Sequence, residues 1–189
     1  MKIIACLLMA CAAAMAHSQQ PGPSAAPVNQ GRTDAAAANP LDQLSFLKGD
    51  WSGKQNFNNQ GGPAMAGEAT DRIDLCIAGR YLCEMLSTTL PGRKPTDTRH
   101  FISYDKATGK YTAWWFNDTS THPMGFSGDL IGGKLVLMSD AAAAGPVLRA
   151  TYENPSAETL SFTLEMRTGE GWTKLFVSTY SKKSAAATN

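Results

Sequence analysis

The chain has 189 residues, 43% of them hydrophobic and 17% charged, and its formal net charge is +1. That length suits one domain, and a near-neutral balance without a basic stripe excludes a surface built to neutralise nucleic-acid phosphates. No acidic or polybasic block implies a partner of opposite charge.

Lys2 leads into an apolar run from Ile3 to Ala16, and small residues stand at Ala16 and Ser18 on either side of His17. This is the pattern of an export signal, so residues 1–18 read as a signal peptide cleaved after Ser18, with cleavage after Ala16 as the next choice. The run is too short for a stable membrane span, which needs about 20 apolar residues. Leu8-Met9-Ala10-Cys11 offers a further alternative, a lipobox in which Cys11 would be lipidated and become the first residue of the mature chain. Cleavage after Ser18 removes Lys2, Cys6 and Cys11, leaves no net charge, and leaves Cys76 and Cys83 as the only cysteines. A periplasmic or secreted address follows, and two cysteines in an exported chain most often pair.

Residues 19–40 are rich in Ala, Pro, Gln, Asn and Ser and show no apolar periodicity, so they read as a disordered leader. The barrel domain is expected over residues 41–181, with a flexible tail at 182–189. It opens at Leu41 with a short amphipathic helical turn that runs into Gly49-Asp50-Trp51. Beyond Asp50 the apolar period is two rather than 3.6. Leu160, Phe162, Leu164 and Met166 alternate with polar neighbours, as a strand with one buried and one wet face requires. Strands are expected at 50–57, 67–77, 81–90, 98–105, 110–117, 121–131, 134–139, 147–153, 159–167 and 172–181. Ten short strands joined by hairpins imply an all-β fold, a single up-and-down antiparallel β-barrel whose closure removes both sheet edges.

Three hairpins are placed by turn chemistry. Gly132-Gly133 supplies the positive φ of a two-residue turn and sets Leu130 opposite Leu135. Asp105 to Lys110, with Gly109 at its left-handed position, brings Tyr104 against Tyr111. A two-residue turn at Gly79-Arg80 would set Cys76 directly opposite Cys83, which predicts a disulfide; two separate buried thiols are the alternative. The same register puts Ile73, Leu75, Ile77, Leu82 and Leu86 on one face with Glu84 among them. A carboxylate there needs a partner. It is either a polar anchor inside a ligand cavity or a rim residue paired with an arginine.

Trp114-Trp115-Phe116 is the densest aromatic run. Trp115 shares a face with His100, Ile102, Tyr104 and Tyr111, whereas Trp114 and Phe116 share the other with Arg99 and Phe101, where a guanidinium stacked on rings suits a wet surface. The candidate ligand-binding set is therefore Trp115, Tyr104, Tyr111, His100 and Glu84: flat apolar surface with polar tips able to orient a small hydrophobic or amphipathic molecule. A barrel packed solid by these side chains is the competing expectation.

Leu44-x-x-Leu47-x-Gly49-x-Trp51, Gly79-Arg80-Tyr81-Leu82, Tyr104-Asp105 with Gly109-Lys110-Tyr111, and Trp114-Trp115-Phe116 with Gly128 beyond resemble, in order and spacing, the exported bacterial proteins of the domain of unknown function 1579 family (DUF1579). The resemblance implies a calycin or lipocalin-like barrel similar to fatty-acid-binding proteins and nitrobindins, with Gly49 and Trp51 structural and Trp51 packed across the closed end. It implies no catalytic residue. Nitrobindin-like barrels hold haem through a histidine near the C-terminus, and here the histidines are His17, His100 and His122, none in the last strands. No metal-ligand spacing accompanies His100 and His122, no G-x-S-x-G elbow is present, and Gly61-Gly62-Pro63 and Gly132-Gly133 lead into no helix that would cradle a phosphate. No cofactor is assigned. The sequence reads as a non-catalytic envelope protein that binds a small hydrophobic ligand, with a structural or protein-interaction module as the alternative.

Overall fold

In the chain from Pro40 to Lys182, a 3-10 helix, Pro40–Leu47, is followed by ten strands: β1 (Gly49–Phe57), β2 (Met65–Cys76), β3 (Tyr81–Thr89), β4 (Thr96–Asp105), β5 (Lys110–Asn117), β6 (Met124–Ile131), β7 (Lys134–Ser139), β8 (Leu148–Ser156), β9 (Thr159–Thr168) and β10 (Gly171–Lys182). The computed structural model describes residues 38–58, 63–140 and 146–184. The expected signal peptide, Cys11, most of the leader, the Gly61-Gly62 turn and the last tail residues lie outside the described residues.

Each strand pairs antiparallel with the next, and β1 pairs with β10 to close the barrel. Inward positions follow the period of two, so Leu135 and Leu137 of β7 or Leu160, Phe162 and Leu164 of β9 are buried while their neighbours are not. The hairpin turns after β2, β4, β6 and β8 lie at the same end as the helix. The last residues of β1, β3, β5, β7 and β9 lie at the other. This alternation gives the barrel a base and a mouth.

Leu41, Leu44 and Leu47 of the helix are buried in the base, together with Trp51. The helix is held at both ends by backbone chemistry. The Asn39 side chain accepts from the Leu41 N–H, and its amide donates to the Gly79 carbonyl at 3.1 Å. The Trp51 indole N–H donates to the Leu47 carbonyl at 2.9 Å, and the Lys182 ammonium sits 5.4 Å from the Trp51 ring centre. Gly49 adopts φ +147°, and a Cβ there would stand 3.0 Å from the Lys182 side chain and 3.4 Å from the indole. The glycine and the tryptophan of Gly49-Asp50-Trp51 are thus needed together, one for the backbone bend and one for the plug.

Two of the expected registers are observed. Leu130 lies opposite Leu135 across a two-residue turn with Gly132 and Gly133 at φ 57° and 77°, and Tyr104 lies opposite Tyr111. The β2–β3 register differs. Its turn spans four residues, Ile77 to Arg80, with Ile77, Ala78 and Gly79 all at positive φ, so Cys76 lies opposite Tyr81 and Cys83 opposite Asp74. Cys76 and Cys83 are nevertheless bonded, with their Cα atoms 5.9 Å apart, as a diagonal rather than a direct cross-strand pair. Ile77, expected on the buried face, is instead at the turn and 60% exposed.

Candidate functional site: a lined cavity above a buried polar cluster

The upper half of the barrel is not packed solid. A cavity of about 230 Å³ reaches the mouth at Leu90, Thr96, Asn117, Thr119 and Met124. Its walls are Leu86, Trp115, Phe162, Leu164 and Phe176, with Gln55, Thr88, Thr98 and His100 as the polar groups deeper in. The aromatic rings form a connected wall: Trp115 lies 4.1 Å from Phe126 and 5.7 Å from Phe162, and Phe162 lies 5.6 Å from Phe176. Gln55 and Thr88 satisfy one another, the hydroxyl donating to the amide oxygen at 2.8 Å.

Beneath this wall lies a polar cluster. Glu84 on β3 and His100 on β4 are direct cross-strand partners, and the two strands aim both side chains inward. The His100 Nδ1 lies 2.8 Å from Glu84 Oε2, and the Tyr152 hydroxyl from β8 donates to the same oxygen at 2.7 Å. The Tyr152 hydroxyl is also 3.1 Å from Nδ1, so carboxylate, imidazole and phenol meet in one triangle. Asp71 on β2, 4% exposed, joins them. Burial first, then the charge of the nearby Glu84, holds the Asp71 pKa well above the usual carboxylate range. Burial likewise pushes the Tyr152 and Tyr180 phenols well up, with the carboxylates adding to it. Among the described residues no lysine or arginine is buried. His100 is therefore the one basic group within this interior.

Among the described residues five buried side-chain polar atoms have no partner: the His100 Nε2, the Trp115 Nε1, the Ser178 hydroxyl and both Asp71 carboxyl oxygens. The first two belong to stacked rings, 4.2 Å apart and inclined by only 17°, and both residues line the cavity.

The structure brings together three of the five residues expected to contact a ligand. Trp115 and His100 line the cavity, and Glu84 stands behind His100. Glu84 is neither at the rim nor paired with an arginine; its partners are a histidine and a tyrosine. Tyr104 and Tyr111 are placed elsewhere. They pack edge-to-face at 5.2 Å in the base, where the Tyr111 hydroxyl donates to the Pro40 carbonyl at 3.0 Å, so they close the barrel rather than line its cavity. Trp114 and Phe116 face outward, 40% and 44% exposed. Arg99 donates to the Thr98 carbonyl, and the guanidinium that does lie over a ring is Arg149, 4.3 Å from the centre of Trp172. Asp71 and Tyr152 went unnoticed in the sequence, although Asp71 stands two residues before Ile73 on the face that also carries Glu84.

A closed antiparallel barrel, plugged at its base by a helix and a tryptophan and hollow above, is a calycin-like architecture. Residues 38–182 match the family described as "Protein of unknown function (DUF1579)", and the chain belongs to that family. No curated protein sequence matches it. Among solved structures it is similar to Rv2717c from M. tuberculosis, with a TM-score of 0.57 and 15% identity, covering 76% of this chain and 97% of that one. It is also similar to the S-type phycobiliprotein lyase CPES from Guillardia theta, with a TM-score of 0.54 and 8% identity, covering 79% of this chain and 95% of that one. At these identities the likeness is one of fold.

Proposed function

We propose that this protein is a non-catalytic binding barrel that takes a small hydrophobic or amphipathic molecule through its mouth. The observation that carries this reading is the cavity of about 230 Å³, walled by aromatic and aliphatic side chains with a few polar groups at depth. The likeness to the phycobiliprotein lyase barrel supports it only as a shared architecture. Among the described residues no hydroxyl lining the cavity is hydrogen-bonded to His100, whose Nδ1 faces Glu84 and Tyr152 in the cluster below. We place the mature protein in the periplasm or outside the cell, a reading supported by the export pattern of residues 1–18 and by the Cys76–Cys83 bond.

Fluorescence titration with an apolar probe tests the binding reading. Trp115→Ala should weaken probe binding about tenfold or more, while Trp114→Ala, on the outer face, should leave it unchanged. Equal losses, or no binding by the parent protein, would move the function to the outer surface. A second reading there has its own support, since Trp114 and Phe116 on β5 and Met85 on β3, either side of β4, are each at least 40% exposed. Native mass spectrometry of protein purified from its own host would show whether a small molecule accompanies it.

A further inference from the structure

Among the described residues that line the cavity, none is aspartate, glutamate, lysine or arginine. Its polar lining is mostly amide and hydroxyl, and much of it comes from one side. Thr88 on β3 lies opposite Thr96 on β4, and Thr98 lies opposite Asn117 on β5. Across the ring, five strands from β4, β9 contributes Phe162 and Leu164, and β10 beside it Phe176. His100 also belongs to the lining, but its Nδ1 meets Glu84 and Tyr152 and its Nε2 is enclosed by protein, as are both Asp71 oxygens. A ligand with a net charge would carry it among amides, hydroxyls and rings, with no opposite charge in contact, which is costly where water is excluded.

The same lining has hydrogen-bonding capacity to spare. Gly67 and Ala69 on β2 stand opposite Gln55 and Thr88, and their small size leaves the space in which those two side chains meet. The Gln55 oxygen accepts from the Thr88 hydroxyl at 2.8 Å, and the Asn117 oxygen accepts from the Thr119 N–H and hydroxyl at 3.1 and 2.7 Å. Each amide thus has its oxygen engaged, and its nitrogen, always a donor, has no partner among the described residues. Gln55 is 3% exposed, yet its nitrogen is not one of the enclosed unpartnered atoms, so the surface it keeps opens on the cavity that Gln55 lines.

We propose that the cavity takes uncharged amphipathic molecules, seated with an apolar side against β9 and β10 and an oxygen that accepts from the side-chain amides of Gln55 and Asn117. This rests on the binding reading above and adds to it the charge class of the ligand and the residues that select it. An alcohol, ether or ester oxygen has the required chemistry. A carboxylate also accepts, but it brings a charge that the lining does not balance, and an ammonium group can only donate. The volume, about 230 Å³, falls below the roughly 300–1,000 Å³ of drug-sized sites, so the ligand is small.

The test uses four probes on one chain, titrated calorimetrically into the full folded protein at neutral pH: 1-octanol, octanoate, octylammonium and 1-chlorooctane, in which chlorine replaces the hydroxyl. Octanol should bind at least about tenfold more tightly than either ion. Gln55→Met, which keeps the length of the side chain but removes the amide, should weaken octanol about fivefold, the worth of one hydrogen bond, and leave chlorooctane within about twofold. In the parent protein the side-chain amide proton resonances of Gln55 and Asn117 should move downfield on adding octanol and not on adding chlorooctane, a readout independent of whether the variant folds. Octanoate or octylammonium binding as tightly as octanol would overturn the uncharged class. Equal losses of octanol and chlorooctane in the variant, or amide resonances that ignore octanol, would overturn the seat of the oxygen while leaving a hydrophobic binding barrel intact. Failure of all four probes to bind would overturn the binding reading itself.

Discussion

Replacing Trp51 by alanine removes the plug of the barrel, and its cost can be worked from the contacts. The side chain is fully buried beside Leu41, Leu44 and Leu47, and its N–H donates to the Leu47 carbonyl at 2.9 Å. Truncating a buried aromatic costs about 3–5 kcal/mol. The carbonyl left without its donor adds about 1 kcal/mol. Together these remove a large part of the roughly 5–15 kcal/mol that holds a domain of this size folded. Trp51→Phe keeps most of the ring and loses the hydrogen bond, so it should cost about 1–2 kcal/mol. Urea unfolding followed by far-ultraviolet circular dichroism measures both. With a slope of about 2 kcal/mol per molar, the alanine variant should shift the midpoint down by about 2–3 M. A loss below about 1 kcal/mol for Trp51→Ala, at unchanged slope, would show that the helix and the tryptophan do not close the base together.

Asp71 should make stability fall as pH rises. Its folded pKa is raised above the roughly 3.9 of an unfolded chain, so above pH 4 the unfolded state releases a proton that the folded state keeps, and unfolding is favoured by up to about 1.4 kcal/mol per pH unit until the folded group also titrates. Asp71→Asn should flatten that slope in pH-dependent urea melts; an unchanged slope would reject the assignment. Gly128→Ala should be strongly destabilising in the same melts, because its Cβ would overlap the Val136 carbonyl and the backbone of Leu137, and a midpoint within error of the parent would contradict the close approach of β6 and β7. Thiol titration of the unfolded, unreduced protein should find neither Cys76 nor Cys83 free. Cys76→Ser together with Cys83→Ser should cost about 2–3 kcal/mol, the chain-entropy value for so short a loop.

The faces of the strands were more legible than their depth. In β2 and β3 the sequence suggested a two-residue turn, whereas Ile77 and Ala78 take up positive φ that neither residue favours, and the partners slip by two. A slip of two preserves the side to which each residue points. Leu82, Glu84 and Leu86 therefore face inward as expected even though their neighbours changed. Depth along the barrel is another matter. Tyr104 and Tyr111 share the inward face of Trp115 and His100, but the tyrosines lie at the base and the other two at the cavity because the distance from the turn, not the alternation, sets the height. The carbonyl of Pro40 that claims the Tyr111 hydroxyl is 71 residues away in sequence, and Tyr152 meets Glu84 across 68. Partnerships across a barrel of this kind leave no local trace in either segment.

The pairing of β1 with β10 sets Trp51 opposite Lys182, and the Lys183 N–H reaches the Asp50 carbonyl at 2.8 Å. The barrel proper is thus a ring whose first and last strands are immediate neighbours, and in such a ring the position of the chain ends is a matter of convenience rather than of architecture. A short polar bridge from Lys183 back to the helix, with new ends opened between Gly132 and Gly133, would retain every strand pairing. Folding, by contrast, is sensitive to order: the other pairings each join consecutive strands, whereas this one closes the whole loop at once and bears its entropy. A permuted ring would move that late closure from β1–β10 to β6–β7.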